Sequence, residues 1–161
     1  EALFGEPVWV SVFLLVTAAL LALSERFGKR VRELDDLRAP DALLIGLGQA
    51  AAIAPGISRS GATIAVGVFR GLKRAPAARF SFLLSTPIIL GAGLFKLADL
   101  LSAPDPVAQV PALVVGFLAA AIAGYLCIWL LLRYLQYGKL YPFAFYCGWV
   151  GISCLIVAWV R

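Results

Sequence analysis

Apolar residues along this chain come in long blocks separated by short charged ones, not at the period of a half-exposed helix or strand. One apolar run covers residues 8–24 and gives way to a charged block holding Glu25, Arg26, Lys29, Arg30, Arg32 and Arg38. Two shorter apolar segments, 42–54 and 61–72, are parted by Pro55-Gly56 and the polar stretch Ser58-Arg59-Ser60. A second basic cluster, Arg70, Lys73, Arg74 and Arg79, follows them, and then come long runs at 80–100, 112–132 and 142–160. A membrane-crossing helix takes about 20 apolar residues, so the four long runs are predicted spans. At about 1.5 Å per residue the segment 42–54 reaches roughly 20 Å, less than the ~30 Å hydrocarbon core.

The charged blocks set an orientation. Lys and Arg gather in cytoplasmic loops, so both basic clusters are predicted inside, as are Arg133 and Lys139. Glu1 and Glu6, the segment 101–111 with its three prolines and Asp105, and Arg161 fall outside. With both clusters on one side, the two short segments between them enter and leave by the same face. The alternative, one broken crossing, would put a basic cluster outside. The predicted fold is therefore an all-α polytopic membrane protein, a single domain over 1–161. It has four transmembrane helices plus one re-entrant helical hairpin at about 41–72.

Several local features refine the pattern. Ala39-Pro40-Asp41 reads as a helix start with Asp41 as N-cap. Pro87 and Gly91 are expected kink points in the span 80–100. Gly116, Ala120 and Gly124 repeat at four-residue spacing, which predicts a packing face for a neighbouring helix.

Composition agrees with lipid as the solvent. Of the residues 62% are hydrophobic and 14% charged, and the mean hydropathy is +0.94; soluble domains hold about 45–50% and about 25%. The net charge of +5 lies in loops between apolar runs and forms no basic face, which argues against nucleic acid. Cys127, Cys147 and Cys154 sit in apolar runs without metal-ligand spacing, so neither a disulfide framework nor a metal site is expected. There is no histidine to serve as the commonest general base. Without methionine and beginning at Glu1, the sequence is expected to be a processed product or a fragment.

Candidate chemistry concentrates at the predicted hairpin tip. An arginine near the bilayer centre costs at least ~2.5 kcal/mol and needs a partner or a wet cavity. No carboxylate lies between Asp41 and Asp99 to pair with Arg59, which makes an anionic ligand the natural partner. Ser60 is predicted to cap a helix beginning at Gly61, whose free amides and dipole form an anion site. Gly56 and Gly61 allow close backbone approach, Ser58, Ser60 and Thr63 offer hydroxyls, and Arg59 offers a fork of donors suited to phosphate. An ion or substrate pathway, and a purely structural turn, are the competing readings.

Gln49, the stretch Pro55-Gly56-Ile57-Ser58-Arg59-Ser60-Gly61-Ala62-Thr63-Ile64, and Ala77-Ala78-Arg79-Phe80-Ser81-Phe82-Leu83-Leu84 with Pro87 together resemble the undecaprenyl-diphosphate phosphatase family, also called bacitracin-resistance proteins. The resemblance implies a multi-pass enzyme of the bacterial inner membrane. Its reaction would hydrolyse undecaprenyl diphosphate to the monophosphate and inorganic phosphate, recycling the lipid carrier of cell-wall synthesis. It also implies two inverted repeats, each with a re-entrant hairpin, and dependence on a divalent cation, Mg2+ or Ca2+. This chain would be the C-terminal half, inactive alone. The family's glutamate-rich motif, serine and histidine are expected in the missing N-terminal half, with no metal ligand here. Carried over, Arg59, Ser58 and Ser60 are the catalytic candidates, and Pro55, Gly56, Gly61, Thr63 and Gln49 the substrate-binding ones. The partners implied are a polyprenyl diphosphate lipid, the bilayer and the other half, with a homo-oligomer left open. A transporter or flippase of lipid phosphates is the rival function, and a non-catalytic scaffold the next.

Overall fold

The computed structural model describes residues 7–102 and 106–160; Glu1, Glu6, Asp105 and Arg161 lie outside them. The regular elements of the described residues are helices: α1 Pro7–Phe27, α2 Ala39–Ala51, α3 Arg59–Phe69, α4 Arg74–Leu101, α5 Pro106–Tyr137 and α6 Tyr141–Val160, with a 3-10 turn at Leu34–Asp36. Among them α1, α4, α5 and α6 are long and apolar enough to cross a membrane.

Several boundaries differ from the sequence expectation. The segment 101–111 is mostly helix, because Pro106 opens α5 where no amide donor is needed and Pro111 is accommodated within it. Asp41 is not the N-cap of α2. Arg38 holds that position, and Asp41 is the third helical residue, its carboxylate accepting the Arg38 amide at 3.2 Å. Two residues of helix, Ala39-Pro40, fit before it because proline suits the first turn.

The short helices α2 and α3 pack side by side, with Gly48 against Val66. Their outer ends are tied together. Val31 and Arg32 donate their amides to the Gly71 carbonyl at 3.0 and 2.9 Å, and Lys73 donates to Arg32 O at 2.9 Å. Both basic clusters thus stand at one end of the molecule. The opposite end of the pair, residues 52–58, lies alongside α1. The Ser58 amide donates to Thr17 Oγ1 at 3.1 Å, and Thr17 is the central residue of α1. Near the other end of that helix, Gly28 meets Val68, close to the finish of α3. The helix–turn–helix pair therefore starts at the basic end, brings the first residues of α3 beside the midpoint of the membrane-length α1, and reaches Val10, near the start of α1, with the turn at Gly56.

Two buried carboxylates hold the basic end. Asp41, 2% exposed, receives Arg32 and Arg70, each at 2.7 Å. Glu25, 4% exposed, receives Arg74 and Arg30, and its Oε2 accepts the Leu140 amide at 3.2 Å. The loops before α2, after α3 and before α6 are thereby fixed together.

The Arg32 guanidinium, with Arg70 and the Arg38 amide, holds the Asp41 carboxyl well below the usual carboxylate range against the opposing effect of burial. A depressed folded value adds stability above the unfolded value of about 4, and that stability fades as pH falls toward the folded one. The gap in unfolding temperature between the parent and Asp41→Asn in detergent should be widest above about pH 4 and shrink toward about pH 2.

Small residues make the close helix contacts, though not on the predicted face. On α6, a Cβ at Gly151 would lie 3.1 Å from Leu15 and from the Ser11 carbonyl, and one at Gly148 would lie 3.7 Å from Ala18. Ser11, Leu15 and Ala18 share a face of α1, so α6 seats closely on it. Gly116 and Gly124 on α5, by contrast, have nothing within 4 Å of a Cβ. The predicted packing face of α5 has no neighbour among the described residues, and the most apolar stretch of that helix buries none of its residues.

Candidate functional site

The turn between α2 and α3 is built residue by residue from local hydrogen bonds. Ala52 and Ile53 donate to Gln49 O and Ala50 O as α2 unwinds, and Ile57 donates to Ala54 O at 3.2 Å. Gly56 reverses the chain with φ +97°, and a Cβ there would lie 2.9 Å from Val10 Cα on α1. Only glycine meets both demands. Gly56→Ala should lower the unfolding temperature in detergent, by the equivalent of more than about 1 kcal/mol, whereas the same change at Gly46, which faces open space, should not destabilise the protein.

Ser58, not Ser60, caps α3. Its backbone is extended (φ −69°, ψ 116°) and its Oγ accepts the Gly61 amide at 3.1 Å. The reason is non-local: Thr17 grips the Ser58 amide, which fixes that residue just outside the helix. Gly61 fits because α1 passes close by, a Cβ there lying 2.9 Å from Thr17 Cγ2. Ser60 stands in the first turn, its Oγ 3.5 Å from Ser58 Oγ. The amides of Arg59 and Ser60 open α3 without an acceptor among the described residues.

Arg59 is exposed, and no carboxylate among the described residues pairs with it. Five basic residues near the hairpin differ. Arg32, Arg70, Arg74, Arg30 and Lys73 all have acidic partners at the far end. The turn thus presents one unpaired guanidinium, two hydroxyls and two free amides at the positive end of a helix, beside the middle of α1. That is the chemistry of an oxyanion site.

Thr63 occupies a different place from the other loop residues. It is 1% exposed, hydrogen-bonded back to Arg59 O at 2.9 Å and set 2.6 Å from Ser81 Oγ on α4. Its hydroxyl ties the start of α3 to α4 behind the exposed loop. Pro55 and Gly56 are half-buried in the turn. Gln49, in the last turn of α2, is 8% exposed, and its Oε1 is buried without a hydrogen-bond partner. A buried orphan acceptor costs about 1–3 kcal/mol, so it calls for a donor or a cation from elsewhere.

Sequence reasoning missed Thr17 and Ser81, the two residues that hold the loop from outside. Thr17 had a readable signal: Thr17 and Ser24, each 0% exposed, punctuate an otherwise apolar run at heptad spacing and so share a face.

The site does not assemble a cation centre by itself. Among the described residues no three His, Cys, Asp or Glu side chains come together. Gln49 Oε1 is an oxygen ligand of a kind Mg2+ or Ca2+ accepts, but Glu25 and Asp41 are held by arginines at the far end.

Against this geometry, the family described as "Bacitracin resistance protein BacA" matches residues 1–153. The chain belongs to that family. A protein of Methanothermobacter thermautotrophicus named undecaprenyl-diphosphatase is 47% identical over 161 residues, covering 98% of this chain and 88% of that protein. Proteins of the same name from Halothermothrix orenii and Desulforudis audaxviator are 45% and 40% identical, over 97% and 100% of this chain. The chain spans 60% of the length of each of those two relatives. With four apolar helices of crossing length, this BacA-family member is a multi-pass membrane protein.

Proposed function

We propose that this chain supplies the diphosphate-binding half of a membrane phosphatase that hydrolyses undecaprenyl diphosphate to undecaprenyl phosphate and inorganic phosphate. The observation that carries the reading is Arg59, unpaired among the described residues, at the start of α3 beside the midpoint of α1. In a bilayer that position is deep in hydrocarbon, where an uncompensated arginine is tolerated only against an anion or in water. The α2–α3 pair is then a re-entrant hairpin of the bacterial inner membrane, its tied ends in the cytoplasm and its tip at the site. This hairpin belongs to one half of an inverted-repeat fold.

The chemistry assigned to this chain is charge stabilisation. Arg59 and the free amides of Arg59 and Ser60 take up charge on the diphosphate oxygens as a water oxygen bonds to the terminal phosphorus and its bridging P–O bond breaks. Ser58 and Ser60 orient those oxygens, and Thr63 braces the loop from behind. The acid–base groups and the residues for a divalent cation come from the remaining half, so the chain alone is inactive. The lipid product would re-enter cell-wall synthesis, which accounts for bacitracin resistance. Membranes holding this chain together with the amino-terminal portion of a longer relative should release inorganic phosphate from undecaprenyl diphosphate. Movement of the lipid across the bilayer with no phosphate released would instead make the protein a carrier.

A further inference from the structure

A second polar site lies at the basic end, about half the length of α1 from the Arg59 loop. A cavity of about 710 Å3 opens between the loop after α1, the first turn of α4 and the last turns of α5. Its charged lining is Arg30, Lys73, Arg74 and Arg79 against Glu33 and Asp35. Arg30 and Arg74 are held on Glu25, and Lys73 on Glu33. Arg79 is exposed and engages no acid or acceptor among the described residues. It belongs to the Ala78-Arg79-Phe80-Ser81 stretch, of which only Ser81 bears on the Arg59 loop, through Thr63. The first turn of α4 also faces the cavity, and Lys73 at its N-cap position caps no amide with its side chain.

The opposite wall is apolar. Leu132 and Leu135 line the cavity, and Leu132 and Gln136 are shared with an adjoining groove of about 380 Å3 bounded by Trp129, Arg133 and Tyr137. Arg133 lies 5.5 Å over the Trp129 ring. Basic groups at the mouth, an apolar wall and interfacial aromatics are the lining that an amphiphile with a phosphate head requires; basic pockets between transmembrane helices hold such heads.

We propose that this cavity seats the phosphate of an anionic phospholipid, with Arg79 as its principal ligand and the acyl chains running along the exposed faces of α4 and α5. The proposal rests on the chain lying in a membrane and not on the hydrolase reading, so loss of one leaves the other standing.

The test is lipid retention by the purified chain, followed by native mass spectrometry after titration with phosphatidylglycerol or phosphatidylcholine. The parent should hold phosphatidylglycerol about fivefold better than phosphatidylcholine. Arg79→Gln should abolish that preference, and Arg79→Lys, keeping the charge but not the planar fork, should retain part of it. Lys96→Gln, on an exposed residue paired only with Asp99 near the far end of α4, should leave it intact. Equal preference in the parent and in the Arg79→Lys and Arg79→Gln variants overturns the proposal. Displacement of the lipid by millimolar inorganic phosphate would make this a free-phosphate site. Stronger Arg79-dependent retention of undecaprenyl phosphate than of phosphatidylglycerol would make it a polyprenyl site. Either result removes the phospholipid assignment.

Discussion

In membranes that also hold the amino-terminal portion of a longer relative, Arg59→Ala should reduce phosphate release from undecaprenyl diphosphate by about 10²–10³-fold in kcat, the cost of removing one preorganised donor from an oxyanion site. Arg59 is poised for such a role because no acid among the described residues neutralises it. Arg32, Arg70, Arg74 and Arg30 spend their charge on Asp41 and Glu25, whereas Arg59 opens α3 with no acid beside it among the described residues. Arg59→Lys should recover only part of the loss, because an ammonium keeps the charge but not the two-pronged geometry. Folding should be unaffected in both variants, since the side chain is exposed. Measuring the unfolding temperature alongside the rate separates a catalytic effect from a structural one.

Glu25→Ala should destabilise the protein by about 3–5 kcal/mol, the range for removing one partner of a buried ion pair. Glu25 is 4% exposed and lies where α1 ends, α4 begins and the chain turns into α6. It binds Arg74 with Nε at 2.9 Å and with a second nitrogen, Arg30 at 3.3 Å, and the Leu140 amide at 3.2 Å. The two arginine side chains are only 21% and 28% exposed, so without the carboxylate they are left largely buried with uncompensated charge. Glu25→Gln keeps an acceptor for Leu140 and should fall between the parent and the alanine variant. Thermal unfolding in detergent measures both; equal unfolding temperatures for all three proteins would mean this junction contributes little.

Much of the fold was legible because lipid imposes a coarse rule: apolar blocks of crossing length, with basic residues between them. The half-length segments flanked by Arg32 and Arg70 stood out for that reason, and the pairing of Arg32 with Leu72 joins their ends as expected of two clusters on one side. The finer features depended on partners far away in sequence. Ser60 had the composition of the N-cap of α3, but so did Ser58; Thr17, 41 residues upstream, selects Ser58. Asp41 had the composition of an N-cap, but Arg70, 29 residues downstream, draws it into an ion pair inside the first turn. The small-residue signal was ambiguous for a similar reason. Gly148 and Gly151 on α6 meet a helix, while Gly116 and Gly124 on α5 show the same kind of pattern and meet none. Spacing identifies a face that permits close packing, but the presence of a neighbour depends on the tertiary arrangement.

The candidate loop was legible as chemistry more than as geometry. The unpaired Arg59, the glycines and the serines could be read directly. The burial of Thr63 against Ser81 could not, because the contact joins α3 to α4 across 18 residues.

Binding of farnesyl diphosphate, a short soluble-chain diphosphate, to the detergent-purified chain tests the role of Arg59 without requiring catalysis. The parent should bind it at least about tenfold more tightly than Arg59→Ala, and more tightly than farnesyl monophosphate. Equal affinity of parent and Arg59→Ala for the diphosphate would contradict the assignment of this loop as the phosphate site.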